Sequence, residues 1–206
     1  MIMPKSELCG PIEIPVGGPI NNAMKDMLRR RLSEDRVELV ESLFEVARNA
    51  QNTPPSSDTT WTKGIKAVFK DKAKFPLICC SSDHNGEWLF DISWYEGSED
   101  ADKIGNWRYA KRLVMACECE WQRSADYILD DFLKLAWSNA ELRIFIYANV
   151  LMQGDHHEHP APICYNRCPS TGNAQYLLIG YPVVFDQGIF RVDTWETSVI
   201  VTNTQV

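Results

Sequence analysis

The sequence predicts an α/β protein in which one central mixed β-sheet is flanked by helices. Helical and strand-like stretches alternate along the chain, which favours a layered arrangement of helices on a sheet. The strand-like stretches are short, rich in branched and aromatic residues, and bounded by turn residues. A chain of 206 residues is long enough to bury one core of this kind. We therefore expect a single domain that spans residues 1–206.

The first part of the chain is expected to be an arm followed by helices. Residues 1–20 are rich in proline and glycine, which predicts an N-terminal arm or irregular edge. A long helical pattern starts at a cap on Asn21 or Asn22 and ends near Asn49. A linker at residues 51–60 then leads to a short basic helix at residues 61–72.

The rest of the chain supplies the sheet. Six stretches have the composition of strands, namely residues 75–81, 87–94, 112–121, 142–150, 174–184 and 188–195. A hairpin turn is predicted at residues 83–86. A further helix is predicted at residues 124–138, and irregular loops are predicted at residues 96–106 and 156–170.

The predicted strand at residues 112–121 carries two carboxylates in an otherwise apolar run. Because strand side chains alternate between faces, we expect Glu118 and Glu120 on one face and Leu113 and Cys117 on the other. Burying an unpaired carboxylate costs several kcal/mol. A bound cation would offset this cost, and so would a basic partner. The candidates for such a partner are Arg112, Arg123 and Lys111.

A third carboxylate lies on the predicted strand around Asp91. Alternation places Asp91 on the face opposite Phe90 and Ile92. If the two strands are neighbours in the sheet, Asp91 faces Glu118 and Glu120. The three carboxylates therefore form a candidate metal site.

Bulk properties limit the classes of function. A net charge of −7 does not favour a broad nucleic-acid-binding surface, and basic residues cluster only at residues 24–36 and 61–74, where solvated helix faces explain them equally well. No apolar run of about eighteen residues occurs, which excludes a membrane-spanning helix. Without a signal pattern at the N-terminus, we expect a cytoplasmic protein whose seven cysteines are reduced.

The order of elements and the acidic residues together resemble the PD-(D/E)xK nuclease superfamily, which has the restriction-endonuclease-like fold. The shared pattern is a helix, a three-strand meander with an aspartate and a Glu-x-Glu pair, a helix and a strand. Asp91 matches the motif aspartate, Glu118 the next acidic ligand, and Glu120 the position of the motif lysine. The resemblance covers residues 37–148 and implies a nuclease-like core over residues 21–150.

The resemblance implies hydrolysis of phosphodiester bonds in DNA with Mg²⁺ or Mn²⁺. Asp91, Glu118 and Glu120 would hold the ion, and Glu120 would alternatively act as a general base. Some type II restriction enzymes have glutamate at the lysine position, and in other members a lysine from the following helix replaces it. Lys134 is therefore a candidate catalytic residue, and a salt bridge from Lys134 to Asp130 is the competing interpretation. Cutting both strands needs two sites, which makes a homodimer an expectation as well.

Loss of the motif lysine also agrees with a second interpretation. The chain would then be a catalytically inactive protein of the same fold that binds a protein or nucleic-acid partner. The negative net charge favours this alternative.

The remaining part of the chain, residues 151–206, begins with a loop rich in histidine, cysteine and proline and ends with the last pair of strands. Five residues of zinc-ligand type lie in this loop, namely His156, His157, His159, Cys164 and Cys168. Their spacing matches no standard zinc finger. We expect solvated histidines here, with a structural zinc site as the alternative.

Overall fold

The computed structural model describes residues 10–52, 58–74, 76–81, 89–97, 110–149, 159–168, 173–182 and 188–197. Seven strands lie in these ranges, namely β1 (Ile12–Pro15), β2 (Leu77–Ser81), β3 (Ile92–Gly97), β4 (Ala110–Glu120), β5 (Leu142–Ala148), β6 (Ala174–Tyr181) and β7 (Ile189–Thr197). Five helices accompany them, namely α1 (Asn22–Arg29), α2 (Glu34–Asn52), α3 (Asp58–Lys72), α4 (Ala125–Ala136) and α5 (Pro160–Arg167).

The described strands form one mixed sheet in the order β1-β7-β6-β5-β4-β3-β2. β4, β5 and β6 are parallel to their neighbours within this group, and every other pair of neighbours is antiparallel. Parallel neighbours need a long crossover, and α4 and α5 lie in the two crossovers. The predicted α/β class with a central mixed sheet is confirmed.

Helices cover both faces of the sheet. One buried cluster joins α1, α2 and α3 to the first face and contains Leu28, Phe44 and Phe69. A second buried cluster joins α4 and α5 to the opposite face and contains Phe132 and Cys164. All residues of β5 are buried, as expected for a parallel strand with helices on both sides. No helix of the described ranges is long and apolar enough to cross a membrane.

The N-terminal segment forms part of the sheet. β1 pairs antiparallel with β7, and the side chains of Ile12 and Ile14 are buried in the first core cluster. Residues 12–15 are therefore a regular edge strand and not the predicted arm or irregular edge, because two alternating isoleucines outweigh the proline and glycine around them. Residues 1–9 lie outside the described part of the chain.

The long helix predicted after Asn21 is two helices. Asn21 does cap α1, since its side chain accepts a hydrogen bond of 3.0 Å from the amide of Met24. The chain then leaves the helix after Arg29, and the carbonyl of Ser33 accepts a hydrogen bond of 2.9 Å from Val37 at the start of α2. A serine followed by acidic residues favours the start of a helix. Here this signal divides the chain into two helices, although the apolar residues keep the spacing of one continuous helix.

Three stretches that were predicted to be irregular contain parts of helices or strands. α5 lies inside the predicted loop at residues 156–170 and starts with a proline at its first turn, where proline is tolerated. α2 and α3 both extend into the predicted linker, and residues 53–57 between them lie outside the description. Glu96 belongs to β3 and not to the acidic loop. The hairpin turn at residues 83–86 also falls outside the described ranges.

The predicted alternation is wrong at the start of β3. The strand starts at Ile92, and Leu89 has a positive φ of 60° that breaks the alternation before Asp91. Phe90 therefore packs in the second core cluster, whereas Ile92 packs in the first.

A register shift changes the face of one residue on β4. Trp94 pairs with Met115 and Tyr95 with Leu113, so one extra residue of β4 lies between the two pairs. Leu113 therefore packs against the second core cluster, on the side of Ala116, and not on the side of Cys117 as predicted. Beyond the shift, the alternation from Met115 onward is as predicted.

Candidate active site

The start of β3 and the end of β4 meet at Asp91. The two strands are antiparallel, and Ile92 lies opposite Cys117. The Oδ2 atom of Asp91 accepts a hydrogen bond of 2.9 Å from the backbone amide of Cys119. Asp91 is therefore held at the part of β4 that contains Glu118.

Strand β4 presents Glu118 and Glu120 on the face that α4 covers. Ala116, two residues earlier, packs in the same core cluster as Phe132 of α4. Glu118 is only 4% exposed, so its carboxylate lies in a region from which most water is excluded. Glu120 is partly exposed, and its Oε1 atom accepts a hydrogen bond of 2.6 Å from the amide of Gln122.

Helix α4 adds a carboxylate that the sequence analysis missed. The pKa of Glu120 is raised, first by burial and then by the hydrogen bond and negative charge of Asp131, while the Gln122 amide opposes the shift. Two carboxylates this close favour a shared proton or a cation between them. Helical geometry could have identified the residue, because Asp131 lies about 60° around the helix from the buried Ile128, whereas Asp130 lies about 160° away.

Lys134 extends the cluster from the same helix. Its Nζ atom lies 2.5 Å from Oδ1 of Asp131, so the predicted salt bridge to Asp130 is wrong by one residue. The pKa of Lys134 is raised, first by the hydrogen bond to Asp131 and, against burial, by the negative charges of Glu118, Asp131 and Asp91. The ammonium group therefore lies in the electrostatic field of Asp91 and of Glu118 on β4.

Arg112, one of the competing basic partners, forms its ion pairs elsewhere. Arg112 forms ion pairs with Glu96, at 2.6 Å, and with Glu141. In the described part of the chain, no ion pair joins Arg112, Arg123 or Lys111 to the three predicted site carboxylates.

The four carboxylates of the candidate site suit a hard cation as ligands, and they approach one another in two pairs. Asp91 is held beside Glu118, and Glu120 is apposed to Asp131. Carboxylate oxygens are the ligands that Mg²⁺ and Mn²⁺ prefer. Among the residues that the structure describes, no three acidic, histidine or cysteine side chains are arranged to hold a metal ion. Binding an ion by three of these carboxylates therefore requires a rotation of side chains.

No family model, curated protein or solved structure matches the chain.

The chemistry open to the site follows from its residues. Four carboxylates and one ammonium group gather near the carboxyl end of β4, the edge of an open α/β sheet at which ligands bind. Such a group can bind a divalent cation, exchange protons and neutralise a developing negative charge.

Among the described residues, the predicted zinc ligands are not arranged to hold a metal ion. His159 precedes α5, while Cys164 and Cys168 are buried in the second core cluster. Burial raises the pKa of the Cys164 thiol. His156 and His157 lie outside the described ranges. All six cysteines within those ranges are free thiols.

Proposed function

We propose that this chain is a metal-dependent nuclease that hydrolyses phosphodiester bonds in DNA with Mg²⁺ or Mn²⁺. The observation that carries the proposal is the position of Lys134 on α4. Its ammonium group lies 2.5 Å from Asp131, and the negative charges of Glu118 and Asp91 further raise its pKa. A lysine from the helix after the Glu-x-Glu strand can take the place of the missing motif lysine.

The topology supports the same proposal. Helix α3 is followed by the antiparallel strands β2, β3 and β4, and α4 then leads to β5, which is parallel to β4. This is the order and pairing expected of a restriction-endonuclease-like core. Asp91, just before β3, and Glu118 on β4 would then be the acidic residues that hold the metal ion.

Each side chain has a role that suits its surroundings. Asp91 and Glu118 would hold the cation, and Glu120 would be either its third ligand or the general base. The cation, when bound, polarises the scissile phosphate and lowers the pKa of a bound water. Asp91 is positioned for this by the Cys119 amide. The raised pKa of Glu120 suits a general base that takes the proton of the attacking water. Lys134 would stabilise the negative charge that develops on the phosphoryl oxygens.

A cleavage assay tests the proposal directly. The wild-type chain should cut plasmid DNA in Mg²⁺ or Mn²⁺ and not in EDTA, and Glu118→Gln and Lys134→Gln should each reduce the rate by about 10²-fold or more. Asp130→Asn is the matched control, because Asp130 is exposed on the same helix and should leave the rate unchanged. Equal rates for Glu118→Gln and Asp130→Asn would refute the proposed site. Linear rather than nicked product would indicate a homodimer.

The alternative function is a catalytically inactive protein that binds a protein or nucleic-acid partner. It is favoured by the glutamate at the motif lysine position and by the lack of a three-ligand arrangement among the described residues. A thermal shift with Mn²⁺ separates the two. If Mn²⁺ stabilises the wild type and not Glu118→Gln, yet plasmid, linear and single-stranded DNA all stay intact, the chain is a binding protein.

A further inference from the structure

Lys134 is the basic residue that the described structure pairs with the candidate site. Its Nζ atom lies 2.5 Å from Oδ1 of Asp131, three residues earlier on α4. The ammonium group also lies in the negative field of Glu118 and Asp91. A positive charge is stabilised by each carboxylate around it. Lys134 is therefore a counter-ion of the carboxylate cluster.

Asp131 has two neighbours of opposite charge. The ammonium group of Lys134 attracts its carboxylate, whereas the carboxylate of Glu120 is apposed to it from β4. The side chain of Asp131 is 19% exposed, so water screens these interactions only in part. An ammonium group carries a single charge, whereas Mg²⁺ and Mn²⁺ carry two. Two apposed carboxylates therefore favour the divalent cation over the ammonium group.

The side chain of Lys134 can leave Asp131 at little cost. It is 53% exposed, so the ammonium group can move into water without burial of its charge. A lysine binds a carboxylate as a point charge on a flexible stem, which makes its ion pairs easy to exchange. Charge repulsion opposes an ammonium group and a divalent cation on the same carboxylate. The two cations are therefore alternatives at Asp131.

We propose that the ammonium group of Lys134 and a divalent cation compete for the carboxylate of Asp131, so that binding of the cation releases Lys134. The inference rests on the proposed nuclease function and adds a regulation of the same site. Without the cation, Asp131 holds Lys134 and withholds it from other anions. With the cation on Asp131, the released ammonium group can contact a phosphoryl oxygen of DNA. The substrate would therefore engage Lys134 only after the cation is bound.

The test measures binding of Mn²⁺ to the full chain without nucleic acid, by isothermal titration calorimetry at neutral pH. Lys134→Gln should bind Mn²⁺ about two- to fivefold more tightly than the wild type, because it removes the competing ammonium group. Lys134→Arg keeps the charge and should bind like the wild type. Arg123→Gln is the matched control, because Arg123 is exposed just after β4 and forms no ion pair with the described site carboxylates. It should leave the affinity nearly unchanged.

A double-mutant cycle separates exchange at Asp131 from a general effect of charge. The Asp131→Asn variant lacks the ion pair, so adding Lys134→Gln to it should not change the affinity for Mn²⁺. In the wild-type background, Lys134→Gln should bind Mn²⁺ more tightly and yet cut DNA more slowly. These opposite signs distinguish ion exchange from the loss of a residue that only stabilises α4.

The remaining outcomes overturn the inference in recognisable ways. If Lys134→Gln leaves the affinity for Mn²⁺ unchanged or lowers it, while the wild type still cuts DNA with Mg²⁺, the competition is refuted and the nuclease function stands. If Lys134→Gln raises the affinity equally in the Asp131→Asn background, the effect is one of charge alone and the inference is refuted as well. If the wild type and Lys134→Gln neither bind Mn²⁺ nor cut any DNA, the proposed function falls together with the inference.

Discussion

The Oδ2 atom of Asp91, just before β3, accepts a hydrogen bond of 2.9 Å from the backbone amide of Cys119 on β4. One carboxylate therefore has two tasks that substitutions can separate. It satisfies a backbone donor of β4, which any side-chain oxygen could do. It also contributes negative charge beside Glu118, which only an ionised carboxylate can do.

Asp91→Ala should lower the free energy of unfolding by about 1–2 kcal/mol, because the Cys119 amide loses its acceptor. Asp91→Asn should lower it much less, since the amide oxygen can still accept the bond. Both variants should lose stabilisation by Mn²⁺ and, under the proposed function, cleavage. Urea unfolding measures the first effect and a thermal shift the second. Equal unfolding midpoints for Asp91→Ala and Asp91→Asn would show that the hydrogen bond does not stabilise the fold.

Glu120→Gln should stabilise the protein at neutral pH and have little effect at about pH 4. The pKa of Glu120 is raised above 4.5 in the fold, so the folded state binds a proton more readily than the unfolded chain. The stability that protonation contributes is present at low pH and is lost as pH rises through the raised pKa. Solvent screens this partly exposed group, so the melting temperature should rise by only about 1–2 °C.

Glu34→Gln is the control for that experiment, because it should change stability with the opposite sign. The pKa of Glu34 is lowered by its hydrogen bond to Arg29, so its contribution is present above 4.5 and is lost as pH falls. Melting curves across the acid range should therefore move in opposite directions for the two variants. A Glu120→Gln variant that is less stable than wild type at neutral pH would contradict the apposition of Glu120 and Asp131.

The pH dependence of cleavage should follow the same pair. If Glu120 is the general base, the rate should rise with pH along a limb that lies above 4.5, the ordinary pKa of a glutamate. Asp131→Asn should move this limb to lower pH, because it removes the negative charge that raises the pKa of Glu120. The measurement is a pH–rate profile at saturating metal. A limb that stays in place in Asp131→Asn would assign the base to another group.

Asp193→Asn should cost about 3–5 kcal/mol of stability. Asp193 is fully buried, and its Oδ2 atom lies 2.7 Å from Nε of Arg191, so neutralising it leaves a buried guanidinium without its main counter-charge. The double variant Arg191→Met with Asp193→Leu should recover much of the loss, since apolar residues can replace a buried ion pair. Urea unfolding of the single and double variants checks this. Additive losses in the double variant would show that the two residues stabilise the fold independently.

Ile14→Ala should lower the free energy of unfolding by about 2–4 kcal/mol, because Ile14 is fully buried on β1. Met27→Ala, at a side chain that is 42% exposed, should have a much smaller effect. The comparison tests by chemical denaturation whether residues 12–15 are an integral strand. Equal midpoints for the two variants would restore the interpretation of this segment as an arm.

The elements predicted well are those whose pattern is local and long. β4 and α4 lie within one to two residues of their predicted bounds, because an apolar run and a helical period each act over many residues at once. The elements predicted poorly depend on partners far along the chain. A stretch of four residues does not indicate that β1 pairs with β7. Ser33, which separates α1 from α2, lies within a stretch whose apolar residues keep the spacing of one continuous helix.

The candidate site shows the same division. Alternation along β4 was enough to place Glu118 and Glu120 on one face, since the register shift lies before them. The left-handed conformation of Leu89 has no signature in the sequence, so the start of β3 could not be derived. Helical geometry places Asp131 near the buried face of α4, but its approach to Glu120 depends on how α4 packs over the sheet, which only tertiary packing determines.

The pairing of β1 with β7 bears on the folding of the chain as well as on its final stability. Ile12 pairs across the sheet with Val192, which lies about 180 residues later in the chain. Closing a loop of this length costs conformational entropy, so we expect this pair of strands to form late in folding. Until the pair forms, Ile12 and Ile14 are uncovered, and the folding intermediate is open to chaperones and to aggregation.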